Sequence, residues 1–154
     1  VHWKPMGNIK IYTDGSSLGN PGPGGYAAIV QKDGREKIIS GGCPHTTNNR
    51  MEMMAMIRPL QLIKKHYPRD TIEIFSDSKL LIESLTKNWK RKKNLDLWAE
   101  LDEARSGLNI SFQWVKGHST NFQNNRADRI AVKEAEKQKK NLVTKNRFYF
   151  FYNA

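Results

Sequence analysis

The sequence predicts a single α/β domain. Three observations point to it. The chain has 154 residues, which suits one globular unit with one substantial core. Its hydrophobic spacing changes from a period of two in the first third to helical spacing after about residue 50, and then alternates between the two. Its single cysteine, Cys43, excludes an internal disulfide framework, so packing has to hold the fold.

The elements follow in order. In residues 8–14, Ile9, Ile11 and Thr13 alternate with Lys10, Tyr12 and Asp14, as a strand requires. Residues 15–25, GSSLGNPGPGG, hold five of the eleven glycines and two prolines and read as a loop. A second strand is predicted at 26–32. Asp33-Gly34 signals a hairpin turn, and a third strand ends near Cys43. Residues 50–66 favour a helix through Met51, Met54, Ala55, Ile57, Leu62 and Ile63, capped by Thr47, Asn48 or Asn49. Pro59 lacks the N–H of a helix interior and predicts a kink or two helical pieces. TIEIF at 71–75 reads as a buried strand. Helices are predicted at 78–87 and 95–105, a last strand at 110–115, and a last helix at 124–140. The order βββαβααβα combines an antiparallel meander with βαβ crossovers. The domain is assigned to residues 1–140. Residues 141–154 form a basic and aromatic extension that docks on the same body, adds a strand or self-associates; docking is preferred, because five solvated aromatics invite aggregation.

Lys and Arg total 26 against 15 Asp and Glu, a net charge of +11. That excess suits a polyanionic partner, either nucleic acid or an anionic membrane surface, or else a solubilising surface. No apolar run approaches the roughly 18 residues of a membrane span, and the N-terminal VHWKPMGN lacks a signal-peptide core. The expectation is a cytoplasmic protein with no membrane association.

Four acids fall at the ends of predicted elements. Asp14 closes the first strand, Glu52 lies in the first turn of the long helix, Asp77 follows TIEIF, and Asp128 lies near the start of the last helix. Gathered above a sheet, four carboxylates would repel unless cations sat among them, and oxygen-only donors suit Mg²⁺ or Mn²⁺. Each acid taken alone also has a structural role open to it. Asp14 fits a turn, Glu52 and Asp128 fit a helix dipole, and Asp77 fits an N-cap.

The surrounding words are far more specific. YTDGSSLGNPGPGGYAAI (12–29), TTNNRMEMMA (46–55), FSDS (75–78), NLDLW (94–98) and WVKGHSTNFQNNRAD (114–128) occur in that order. Over residues 8–136 the chain resembles type 1 ribonuclease H of the bacterial kind. The resemblance implies a five-stranded mixed sheet, three strands antiparallel and two more parallel to the first, flanked by helices. It implies endonucleolytic hydrolysis of the RNA strand of RNA/DNA hybrids by two metal ions, Mg²⁺ with Mn²⁺ able to substitute, leaving 5′-phosphate and 3′-hydroxyl ends. It carries the metal-binding and catalytic carboxylates onto Asp14, Glu52, Asp77 and Asp128, and a mobile catalytic histidine onto His118. Asp14 would bridge both ions, and Glu52 would also touch a ribose 2′-hydroxyl, the group that separates RNA from DNA. His2, His45 and His66 lack such a setting and read as surface residues.

By the same resemblance Asn20, Thr47, Asn48 and Asn49 line the groove for the hybrid. Lys79 departs from the glutamine that many relatives carry, which turns a base contact into a phosphate contact, and Lys116 in WVKGH suits a phosphate. Many bacterial relatives carry a basic helix and loop that grips the substrate. Here TKNWKRKKNLDLW leaves too few residues for that handle, and Trp89, Lys90, Arg91, Lys92 and Lys93, with Lys87, remain as a compact substitute grip or a solvated loop. A monomer is expected. The same fold as a non-cutting hybrid binder is opposed by the complete acid set. A transposase or junction nuclease sharing the fold is opposed by TTNNRMEM and the KGH loop.

Overall fold

A computed structural model describes residues 6–87, 89–117 and 121–153, with the side chains of the last helix described as far as Val143. The elements are β1 (Asn8–Ser17), β2 (Gly22–Lys32), β3 (Arg35–Thr46), α1 (Asn48–His66), β4 (Thr71–Ser76), α2 (Lys79–Thr86), α3 (Leu95–Arg105), β5 (Asn109–Trp114) and α4 (Phe122–Asn153). The predicted order is observed. The sheet runs β3-β2-β1-β4-β5. β1 pairs antiparallel with β2 and parallel with β4, β2 pairs antiparallel with β3, and β4 pairs parallel with β5.

Alternation along β1 and β2 divides the molecule into layers. Ile9, Ile11 and Ala28 face α1, α2 and α3 in the larger core, with Met56, Ile57, Leu60, Ile72, Ile74 and Leu101. Tyr12, Ala27 and Ile29 face the other way, against Ala127, Ile130 and Ala131 of α4. One helix therefore covers one face of the sheet and three cover the other.

The glycine-rich run is not the loop its composition suggests. Only residues 18–21 separate β1 from β2. Gly15 and Gly24 face α1, where a Cβ would stand 2.3 Å from the Glu52 nitrogen and 3.0 Å from Met51 Cγ respectively. Gly25 faces α4, where a Cβ would stand 2.2 Å from the Ala131 carbonyl oxygen. These glycines let two helices approach the strands closely. At Asp33-Gly34 both residues have positive φ (51° and 73°), the geometry of a tight hairpin turn.

Helix α1 starts at Asn48, where the Thr47 hydroxyl accepts from the Arg50 N–H at 3.3 Å and so settles which of three candidates caps it. It continues through Pro59 as one helix rather than two pieces, with Pro59 fully buried against the core. Glu52 lies beyond the first turn, which contains no acid. The N-cap of α2 is Ser78, not Asp77. The last helix starts earlier than predicted and continues past residue 140, because residues 141–153 contain neither glycine nor proline to stop it. The aromatic side chains at 148–152 lie outside the described residues, and so does any docking by them.

Candidate functional site

The strand ends meet the first turns of α1 at one edge of the sheet. The ladder between β1 and β4 closes at Tyr12 opposite Phe75, whose rings stack at 4.9 Å. Beyond that pair the two central strands present Asp14 and Asp77, and α1 supplies Glu52. One carboxylate oxygen from each of Asp14, Glu52 and Asp77 lies within 4.8 Å of the others. Asp14 and Glu52 are buried, at 6% and 9% exposure. Asp128 on α4 lies outside this trio, yet its charge acts on Asp14.

The electrostatics follow from crowding like charges in a dry place. Burial, then the charge of Asp77, raise Asp14 from 3.8 to about 7. Burial, then the charge of Asp14 and a hydrogen bond to it, raise Glu52 well above its ordinary value. Glu52 Oε2 is buried and has no hydrogen-bond partner among the described residues. An oxygen-only donor set with an unsatisfied buried oxygen fits a hard divalent cation, whose charge would take the place of the protons that Asp14 and Glu52 otherwise retain.

The turn around Asp77 is braced from several sides. The Ser78 N–H donates to Ser76 Oγ at 3.1 Å, and the Val115 N–H donates to the Ser76 carbonyl at 2.9 Å. Trp114 at the end of β5 donates its indole N–H to the Asp77 carbonyl at 3.1 Å, although the residue is 47% exposed. Lys79 Nζ sits 5.8 Å from the centre of that ring. On the other side Asn124 of α4 is 8% exposed, and its amide donates to the carbonyls of Thr13 (3.3 Å) and Phe75 (3.1 Å). Sequence reasoning missed both Trp114 and Asn124. The one available signal was their position inside the WVKGH and NNRAD segments. His118 lies outside the described residues.

The expected substrate residues divide. Asn20 and Asn48 interlock with Ser17: the Asn48 N–H donates to Asn20 Oδ1 at 3.0 Å, and the Ser17 N–H donates to Asn48 Oδ1 at 2.8 Å. Thr47 caps α1, while Asn48 and Asn49 stay exposed at its tip. Asn49 also borders a trough of about 270 Å³ walled by Met53, Leu80, Trp89 and Trp98 and rimmed by Lys90, Lys92 and Lys93. Arg91 differs from those three lysines. It pairs with Asp102 and stacks over Trp98, 3.9 Å from the ring centre. Its cation braces the loop from beneath. Lys79 and Lys116 are exposed near the Asp77 turn. Arg50 ties α1 to α3 through a two-pronged contact with Asp96 at 2.8 and 2.9 Å and a bond to Asn94 at 3.3 Å. No helix among the described residues is long and apolar enough to cross a membrane.

Comparison with known proteins agrees with this geometry. The RNase H family model matches residues 6–136. Ribonuclease H of Helicobacter acinonychis is 45% identical over 140 residues, covering 86% of this chain and 96% of the relative. Ribonuclease HI of Helicobacter pylori is 44% identical over 143 residues, covering 88% and 98%. Among solved structures, LC11-RNase H1 in complex with RNA/DNA hybrid superposes with a TM-score of 0.72 at 26% identity, covering 84% of this chain and 97% of that one.

Proposed function

Since the chain belongs to the ribonuclease H family, enzymes that cut the RNA strand of RNA/DNA hybrids endonucleolytically, we propose that it performs this cut with two divalent cations held by Asp14, Glu52, Asp77 and Asp128. The products are 5′-phosphate and 3′-hydroxyl ends. The observation that carries the reading is the buried trio Asp14, Glu52 and Asp77, gathered within 4.8 Å and left with an unpartnered Glu52 oxygen. Mg²⁺, with Mn²⁺ able to substitute, supplies the positive charge that activates water and offsets charge growing on the leaving 3′-oxygen.

The chain's own residues do the rest. Asp14, on β1 beyond its ladder with β4, and Asp77, directly after β4, would hold the cations beside the scissile phosphate. Glu52 faces the ribose, where a 2′-hydroxyl separates RNA from DNA. His118 moves a proton or helps the product leave, as an imidazole titrating near neutrality can. Asn20, Thr47, Asn48 and Asn49 meet sugar and base edges, and Lys79 and Lys116 meet phosphates. Trp89, Lys90, Lys92 and Lys93 form the shortened grip on the hybrid, with Arg91 beneath it. Residues 1–140 are the catalytic domain and 141–154 an extension of it, acting as a monomer in the cytoplasm.

The deciding assay offers end-labelled RNA/DNA hybrid, duplex RNA, duplex DNA and single-stranded RNA, each with and without Mg²⁺. Cutting of the hybrid's RNA strand alone, only with Mg²⁺, is expected. Asp14→Asn should slow it on the order of 10²- to 10³-fold or more while the fold survives. Robust cutting by a folded Asp14→Asn protein would sink the mechanism, and binding without cutting under Mg²⁺ or Mn²⁺ would sink the activity.

A further inference from the structure

Helix α4 lies on the sheet through an unusually smooth contact. Ala127, Ala131 and Ala135, spaced one turn apart, are fully buried. Ala127 and Ala131 meet Ala27 and Ile29 of β2, and the backbone at Ala131 and Ala135 passes so close to Gly25 that no Cβ would fit between. Small residues bring the helix near, but a stripe of methyl groups offers few ridges and grooves to fix its height or rotation. Directional bonds have to do that.

Among the described residues some lie at the surface, including a bond from the Ser40 hydroxyl of β3 to Glu134 Oε1 at 3.4 Å, and others are buried. Arg126 reaches Glu36 on β3 with two bonds at 2.5 and 2.6 Å, but this pair lies at the exposed surface, where ion pairs contribute little. The buried bonds belong to Asn124. Its Nδ2 bridges the Thr13 and Phe75 carbonyls just where the β1–β4 ladder has ended, and Thr13 Oγ1 donates to the same Phe75 carbonyl at 3.2 Å. Its backbone N–H is taken by Asn121 Oδ1 at 3.1 Å, which caps the helix. Asn124 Oδ1 is buried with no partner among the described residues, an arrangement that costs stability relative to an apolar side chain. The position therefore serves more than packing.

Asp128 is four residues further along α4 and so stands above Asn124 on the same face. We infer that Asn124 is the positioning residue of α4: by clipping both central strands one residue before Asp14 and two before Asp77, it sets where Asp128 stands against the other three carboxylates. This rests on the proposed function of those carboxylates and assigns Asn124 no contact with substrate.

The test is a double-mutant cycle on the full chain with Asn124→Ala, Asp128→Asn and both together. Turnover is measured under single-turnover conditions, and Mg²⁺ affinity by calorimetry. Asn124→Ala should lower kcat about tenfold to a hundredfold with little change in KM, the effect of misplacing a reacting group by about an ångström. It should also weaken Mg²⁺ binding. The double variant should be no slower than Asp128→Asn alone, because the two residues act through one position. Asn124→Ser, which keeps one donor, should fall between wild type and Ala, and it carries the test if Ala impairs folding. Wild-type kcat and Mg²⁺ affinity in a folded Asn124→Ala protein, or losses that add fully in the double variant, would overturn the inference. A wild-type chain that does not cut hybrids would instead overturn the proposed function, and the cycle is then read from Mg²⁺ affinity alone.

Discussion

The carboxylate pocket and the basic loop at residues 89–94 face the same duplex in the proposed function, yet they are built in opposite ways. The pocket is acidic, buried and made from strand ends and a helix that glycines allow to close in. The loop is cationic and mostly exposed, and it is secured by one guanidinium between Trp98 and Asp102. Chemistry that depends on fractions of an ångström sits on rigid elements, while electrostatic capture tolerates a looser support. Substitutions in the two regions should therefore fail differently.

The largest effect is expected at Gly15. An alanine there would place Cβ 2.3 Å from the Glu52 nitrogen and 2.4 Å from the Met51 carbonyl carbon, so α1 has to retreat. A destabilisation of about 3 kcal/mol is expected from overpacking against backbone. Urea unfolding and single-turnover assays should show stability and kcat falling together. Wild-type stability would show that the pocket is less tightly closed than the glycines indicate.

Next is the pH dependence of stability without metal. Folded Asp14 keeps its proton up to about 7, whereas the unfolded chain releases it near 3.8. Between those values the unfolded state binds fewer protons, so stability falls as pH rises through that window. Asp14→Asn should remove Asp14's share of this fall, leaving that of Glu52, and stabilise the chelated protein at pH 8 by on the order of 1–3 kcal/mol, with a smaller gain at pH 4. Urea titrations at both pH values check it. The substitution that stops the chemistry should thus strengthen the fold, as expected where function holds like charges together.

On the basic side, replacing Lys90, Lys92 and Lys93 together with Ala should raise KM several-fold and leave kcat and Tm unchanged. The slope of log KM against log salt should flatten by about one for each phosphate that these lysines no longer neutralise. A salt series on a labelled hybrid measures it, and an unchanged slope would remove the loop from the substrate grip. The smallest effect belongs to Asp96, whose hydrogen bonds with Arg50 hold its carboxyl down at about 2. Its contribution is complete above 3.8 and disappears as pH falls through about 2. Asp96→Asn should lower Tm slightly at neutral pH and not at all at pH values below that range.

The element order was legible because period two and helical spacing are strong local signals. The convergence of the acids was not. Nothing in the spacing of Asp14, Glu52 and Asp77 says that they meet, and only the surrounding motif words led there. Composition misled at residues 15–25, because glycine marks a turn and a close approach equally, and only the position of α1 and α4 separates the two. Proline misled at residue 59, where burial in the core holds the helix together. Arg91 reads as one more cation in a basic run, since its Asp102 partner is eleven residues away on α3. Asn124 and Trp114 bond to backbone carbonyls distant in sequence, which every residue possesses, so no side-chain pattern advertises them.

The clip formed by Asn124 also has a consequence in time. The hairpins that join β1, β2 and β3 link neighbours in sequence and can form as soon as they are made. The Asn124 bond to Thr13 spans 111 positions, so it has to wait for α4. A nascent chain acquires Asp14, then Glu52, then Asp77, and gains Asp128 and the proposed α4 clip only once α4 has been made. The carboxylate set is therefore completed by the last of the described elements to be made, well after the strands that lead to Asp14 and Asp77 can pair.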